Sequence, residues 1–304
     1  MEFVLETKSL EKKYKHYTAL NGLTMKIPKG SIYGFVGRNG AGKTTLIRLI
    51  CGLQEPTEGE LFLYGIPSKD KKINNVRRRI GAVVETPAIY LDMTAEENIK
   101  EQYLVKGLPS YDGIQELLEM VRLEKAGTKK ARNFSLGMKQ RLAIAIALVG
   151  NPDFLILDEP TNGLDPQGII EIRELILKLN REKGITVLIS SHILDELAKI
   201  ATYYGFIDNG RIIREMSSND LLSHCRKKTI LKISNVKAFI VILDRLSLDY
   251  KIEDEQTVSI FSEVSVSKLV KEAEKTNNEI YSIKEREESL ESFFLNLIGG
   301  SNNE

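Results

Sequence analysis

The run Gly37-Arg38-Asn39-Gly40-Ala41-Gly42-Lys43-Thr44 fits the pattern G-x-x-x-x-G-K-[ST]. Glycines at such spacing let the backbone wrap closely round an anion, so that successive N–H groups point at phosphate oxygens. A helix N-terminus behind the loop adds favourable partial charge. Lys43 is then placed to reach the outer phosphates and the Thr44 hydroxyl to ligate Mg²⁺, with Thr45 next in the cradle and the Arg38 side chain left toward solvent. A second group of chemistry-bearing residues closes the apolar run Phe154-Leu155-Ile156-Leu157, where Asp158 and Glu159 stand side by side. Adjacent acids at a strand end are commonly a solvated turn, but beside a phosphate loop they can complete a hydrolytic site. If the extended conformation persists through both, their side chains point to opposite faces and cannot share one job. Asp158 is therefore expected in the Mg²⁺ shell and Glu159 as the general base that polarises a water.

Such a site needs elements that hold it. Ser31 to Val36 reads as a buried strand running into the glycine loop, and Lys43 to about Leu53 as the helix it opens. Phe3 to Ile27 reads as two short strands round a polar turn, and Glu60 to Leu63 as another. Thr94 with Glu97 is a capping-box pattern opening a largely helical region to about Gly127. The alternation then resumes with a helix at Leu136–Val149, a strand at Phe154–Leu157, a helix from Pro166, a strand at Thr186–Ser190 and a helix at Ile193–Ile200. Strands alternating with helices imply a mostly parallel sheet covered on both faces, with ligands at the carboxyl ends of its strands. After about Ser218 the style changes: short strands at Thr229–Ser234, Lys251–Ile252, Val258–Phe261 and Ile280–Lys284 alternate with helices at Val236–Leu246 and Ser265–Lys275, before a last helix at Glu288–Ile298. The order β-α-β-β-α-β describes a small split α/β domain.

At 304 residues the chain has room for roughly two domains. With 43 Lys and Arg against 42 Asp and Glu, no global field draws it to nucleic acid or an acidic surface. The basic stretch Lys69, Lys71, Lys72, Arg77, Arg78 and Arg79 has no interleaved aromatics and reads as a solvated helix face. Cys51 and Cys225 lie far apart without CxxC or His partners, which argues against a disulfide framework or a zinc site and fits a reducing compartment. The longest charge-free run, Ser292 to Asn303, is too short to span a bilayer, and Met1 to Glu6 carries no basic region followed by an apolar stretch. A cytoplasmic location is expected.

With both sites in view, the sequence resembles the ATP-binding-cassette family. Asn133-Phe134-Ser135-Leu136-Gly137-Met138-Lys139-Gln140-Arg141 is similar to that family's signature, usually Leu-Ser-Gly-Gly-Gln: Ser135 and Gly137 are kept, while Leu136 replaces a glycine and Met138 the glutamine. Gly163-Leu164-Asp165 resembles its D-loop, Ser190-Ser191-His192 its switch-histidine segment, and Tyr14 is placed like the aromatic residue that stacks on adenine. Ser135 and Asp165 also fit as ordinary helix N-caps, and a capped helix end presenting free N–H groups is itself an anion site. The resemblance implies ATP and Mg²⁺ as cofactors and a contact from His192 to the γ-phosphate.

It further implies a phosphate-loop NTPase core with an antiparallel β subdomain and an α-helical subdomain at about 86–150, the whole cassette spanning 1–220, followed by an accessory α/β domain at 226–304. In the family, the signature of one cassette closes over the ATP of another, so a homodimer sharing two ATP sites is expected. The expected partner is a separate membrane permease, with the chain held peripherally at the cytoplasmic face. Where the family usually has Gln after the strand Ile80–Val84, this chain has Glu85, which would offer the cation a carboxylate. Glu85 together with the Phe-Ser-Leu-Gly-Met signature resembles the subgroup exporting bacitracin and lantibiotic peptides. The alternative is a soluble cassette ATPase acting on nucleic acid or ribosomes, but such proteins usually carry paired cassettes, long heptad inserts or basic arms, none of which is present. No nucleic-acid partner is expected.

Overall fold

The structure is a computed structural model describing residues 2–224, 228–262, 264–275, 278–286 and 290–300; Cys225, Glu288 and Asn303 lie outside these. Contacts divide the chain into two units, Met1–Ser218 and Asn219–Glu304.

The first unit opens with a hairpin of β1 (Phe3–Tyr14) and β2 (Tyr17–Pro28), followed by β3 (Ile32–Val36) and α1 (Lys43–Ile50). The expected short strands are each 12 residues long. Their alternation is broken by register shifts between Thr7 and Leu10, where Ser9 takes φ +47°, and these irregularities keep Leu5 and Leu10 both on the core side. Next come β4 (Glu58–Leu63), β5 (Ile66–Pro67), α2 (Ile73–Arg77) and β6 (Ile80–Val83). Lys69, Lys71, Lys72, Arg78 and Arg79 are exposed as expected, but only Arg77 lies within α2, where its guanidinium covers Gly52 and donates to the Ile50 carbonyl; Arg79 pairs with Asp153.

The helical insertion is α3 (Ala95–Val105) and α4 (Ile114–Met120), followed by two short 3-10 turns and α5 (Leu136–Leu148). Thr94 and Glu97 close a full capping box, each side chain accepting from the other's backbone N–H at 3.1 and 2.7 Å. The core then completes with β7 (Phe154–Asp158), α6 (Pro166–Lys183), β8 (Thr186–Ser191), α7 (Leu194–Leu197), β9 (Tyr203–Asp208) and β10 (Arg211–Ser217). The expected helix at Ile193–Ile200 is reduced to one turn, because the chain tightens through Ile200 N–H to Leu197 carbonyl before entering β9.

Two sheets result. An antiparallel one runs β2-β1-β4-β5; a six-stranded one runs β10-β9-β3-β8-β7-β6, parallel from β9 to β6, with β10 antiparallel at its edge. Strands β3, β7 and β8 are buried at every residue, which is why they read as unbroken apolar runs rather than as alternating ones. All three end beside the glycine loop. The β9–β10 hairpin, turned by Asn209 and Gly210 at φ +46° and +74°, supports that loop directly: Gly210 N–H donates to the Ala41 carbonyl at 3.0 Å. One buried cluster, including Leu20, Phe35, Ile47, Ile156 and Ile207, runs between the two sheets and α1.

The second unit contains α8 (Ser218–His224), β11 (Lys228–Ile233), α9 (Val236–Arg245), β12 (Tyr250–Ile252), β13 (Thr257–Ile260), α10 (Val266–Lys275), β14 (Ile280–Arg286) and α11 (Leu290–Gly300), with α8 beginning at the unit boundary. Its sheet runs β12-β13-β11-β14, all neighbours antiparallel, a split β-α-β arrangement of the ferredoxin-like kind. Leu231, Ile233, Phe239, Val258 and Leu269 form a separate core there. Among the described residues, no helix is long and apolar enough to cross a membrane.

Candidate functional site

The glycine loop leaves β3 and enters α1 under close constraint. A Cβ on Gly37 would stand 2.6 Å from the Ile207 carbonyl oxygen. Gly42, the cap of α1, has φ +110°, and a Cβ there would stand 2.6 Å from the Ala19 carbonyl oxygen. The loop is thus wedged between β2 and β9 with no room for side chains at Gly37 and Gly42, while Arg38, Asn39 and Gly40 at its tip are exposed. Close wrapping of this kind is what main-chain N–H groups need to cradle an anion.

Lys43, only 6% exposed, lies along that loop. Its Nζ donates to the carbonyls of Gly37 at 2.6 Å and Arg38 at 3.3 Å and pairs with Glu159 Oε1 at 3.2 Å. Thr44 Oγ1 donates to Asp158 Oδ2 at 2.8 Å, and Ser190 Oγ donates to Asp158 Oδ1 at 2.5 Å. Glu159 reaches the other way, its Oε2 lying 2.8 Å from His192 Nδ1. The two acids do separate, but not by strand alternation. The strand ends at Asp158, and Glu159 turns into the left-handed region at φ +50°, its N–H held by Ser190 Oγ at 2.9 Å. Behind α1, burial pushes the Cys51 thiol up to about 12; Arg77 pulls it down and the Asp158 charge adds to the rise.

Lys43, Thr44, Glu159 and His192 face one cleft of about 380 Å³, which Asn39, Gly40, Gly42 and Thr45 also line; Asp158 and Ser190 are buried behind it. Tyr17 and Asn162 also line it, and the sequence reading named neither. Tyr17 stands directly opposite Tyr14 across the β1–β2 hairpin, and its hydroxyl donates to the Gly40 carbonyl at 2.9 Å. Tyr14 does not line this cleft: its hydroxyl donates to Gln54 at 2.6 Å and Lys12 covers its ring. Asn162 follows the two acids by a few residues, but no sequence pattern distinguishes it from a turn residue.

Ser135, Gly137 and Asp165 do not line the cleft either. Ser135 caps α5, accepting from Met138 N–H at 3.2 Å, and Asp165 caps α6 through Gly168 N–H at 3.1 Å. Leu136 leans on Gly163, so the two segments pack against each other at neighbouring helix starts. Nor does the structure bring Glu85 to Thr44 and Asp158. Glu85, at φ +59°, pairs instead with Arg48 at 2.5 Å, because a guanidinium one turn along α1 is the cation its carboxylate meets first.

The donor set suits a hard divalent cation. Thr44 and Asp158 offer oxygens side by side, and among the described residues no cluster of three or more His, Cys, Asp or Glu could hold a metal by itself. Mg²⁺ keeps several waters and binds through one or two protein oxygens plus phosphate, so the pair fits it. A backbone anion cradle, a buried lysine, this oxygen pair and a carboxylate held by a histidine can together bind a nucleoside triphosphate and direct a water at its outer phosphate.

Comparison with known proteins bears on that chemistry. The family model for ABC transporters matches residues 20–162. The bacitracin transport ATP-binding protein BcrA of Enterococcus faecalis is 40% identical over 303 residues, covering 99% of this chain and 98% of that protein. The lantibiotic transport ATP-binding protein SrtF of Streptococcus pyogenes is 43% identical over 212 residues, 70% of this chain and 90% of its own length. Among solved structures, a dimeric ATP-binding cassette in a post-hydrolysis state, bound to ADP and phosphate, superposes with a TM-score of 0.64 at 29% identity, covering 70% of this chain and 98% of that one.

Proposed function

Since the chain belongs to the ABC transporter family, binding and hydrolysing ATP as its transport-energising subunit, we propose that it powers export of a bacitracin-like peptide antibiotic through a separate membrane permease. The observation that carries the substrate class is the extent of the likeness. It runs the whole length of bacitracin transport proteins, second unit included, whereas the lantibiotic relative covers 70% of this chain. The relatives named above are transport proteins, which favours this reading over a nucleic-acid or ribosome ATPase.

In this reading Lys43 leaves the loop carbonyls and Glu159 for the outer phosphates, while the loop N–H groups hold the inner ones. Thr44 and Asp158 would hold Mg²⁺, which when bound would offset the phosphate charge. Glu159 accepts the proton of the attacking water and His192 fixes its carboxylate. Tyr14 supplies a stacking surface for adenine at the mouth of the hairpin. Ser135, Gly137 and Asp165, at helix starts outside the lining of the cleft, serve the ATP of a second copy, so two chains close over two nucleotides. Closing and opening of that dimer at the cytoplasmic face drive the permease.

The test is expression of the chain with a candidate membrane permease in a bacitracin-sensitive bacterium. Resistance that appears with the native chain and vanishes with Glu159→Gln supports the reading. Unchanged sensitivity, with both proteins present in the membrane fraction and ATPase intact, removes the substrate assignment.

A further inference from the structure

Glu85 follows β6, the strand that pairs with β7 and so ends beside Asp158. Its backbone is left-handed, a conformation that a long side chain holds only where its surroundings fix it. Pro87 bars Thr86 from the helical region and turns the chain here, while the carboxylate is fixed by Arg48 Nη2 at 2.5 Å. Arg48 lies four residues after Thr44 on α1, so the two side chains share one helix face about 6 Å apart. Thr44 carries the oxygen that meets Asp158. The guanidinium therefore stands one helical turn from the oxygen pair that suits the cation and holds the carboxylate that could join it.

Chemistry gives the pairing a use. A Gln at position 85 would present a neutral amide that a guanidinium holds weakly, whereas an ionised Glu is both a stronger ligand for a hard cation and a stronger partner for Arg. The two roles compete for the same oxygens. We propose that Arg48 is a positioning residue that holds the Glu85 carboxylate off the Thr44–Asp158 pair, so that a divalent cation must displace the guanidinium to gain this ligand. The inference rests on the ATP- and Mg²⁺-binding reading above. It makes the cation requirement of the site a property of two residues on different elements.

The experiment titrates Mg²⁺ into the full chain with a fluorescent ATP analogue at fixed ionic strength and reads the Mg²⁺ midpoint of nucleotide binding. Arg48→Gln should lower that midpoint about two- to fivefold, the range for a partly exposed ion pair. Arg48→Lys, which keeps the charge, should stay near the native value. In a Glu85→Gln background, Arg48→Gln should move nothing. Equal midpoints for the native chain and Arg48→Gln would overturn the proposal, as would the same shift with Glu85 already replaced, since that would mark a merely structural effect. Loss of Lys43-dependent nucleotide binding in the native chain itself would instead overturn the ATP reading beneath it.

Discussion

Glu159→Gln separates binding from hydrolysis in a way the geometry makes quantitative. In the native chain Lys43 Nζ lies 3.2 Å from Glu159 Oε1, with Lys43 nearly buried and Glu159 22% exposed. Hydrogen bonds to charged groups contribute about 1.5–3 kcal/mol. This one is longer than the usual charge-assisted bond and partly wet, so about 1 kcal/mol is the reasonable share. Lys43 must give up that contact to reach a phosphate. Removing the carboxylate charge should therefore tighten ATP binding about fivefold, since 1.4 kcal/mol is a factor of ten. Turnover should fall by roughly 10²–10⁴-fold, because the amide cannot accept the proton of the attacking water. Calorimetric titration with ATP reads the first effect and phosphate release the second. Near-normal turnover would show that Glu159 is not the base. Weaker ATP binding would show that the carboxylate does not compete for Lys43.

Three further outcomes are expected. Mixing Lys43→Ala chains with Ser135→Arg chains, each inactive alone, should restore one working site per mixed dimer; no recovery of phosphate release in isolated mixed dimers would argue that each chain hydrolyses ATP unaided. Tyr14→Ala should weaken ATP binding while leaving inorganic triphosphate binding unchanged, whereas Tyr17→Phe, which loses only the hydroxyl held by Gly40, should weaken both alike; calorimetry with the two ligands distinguishes them. Glu215, half-buried on the edge strand β10, has its carboxyl raised above the ordinary 4.5 mainly by burial, with the Tyr33 hydroxyl and the Lys26 N–H and charge pulling the other way. Its folded form holds a proton more tightly than its unfolded form, so its contribution is present below the ordinary carboxylate value and lost as pH rises through the raised one. Glu215→Gln should thus melt above the native chain at pH 8, with the advantage vanishing toward pH 4; an equal difference at both pH values would refute the linkage.

What could be read from the sequence was whatever depends on neighbours along the chain. The glycine spacing at 37–44, the capping box at Thr94 and Glu97, and the unbroken apolar runs of β3, β7 and β8 each follow from local chemistry and reappear in the fold. The sequence reading named neither β9 nor β10, although Asp208-Asn209-Gly210 is a strong hairpin signal between apolar runs. Glu159 was harder: a left-handed turn fixed by Ser190 depends on a strand contributed from elsewhere in the chain. The same holds for Glu85, whose partner Arg48 lies 37 residues away, and for Tyr17, which gains its place only because the hairpin folds over Gly40. Spacing identified the residue types for a site; which of them share a cleft was decided by packing.

The two separate cores have a thermodynamic consequence. A nucleotide acts on the unit that owns the cleft, stabilising it by about 2.7 kcal/mol at a hundredfold excess over its dissociation constant. The core of Leu231, Phe239 and Leu269 contains none of the cleft residues. Heating the chain is expected to give two events rather than one, so that no single melting temperature describes it. In a calorimeter, ATP should carry one endotherm upward and leave the other where it was.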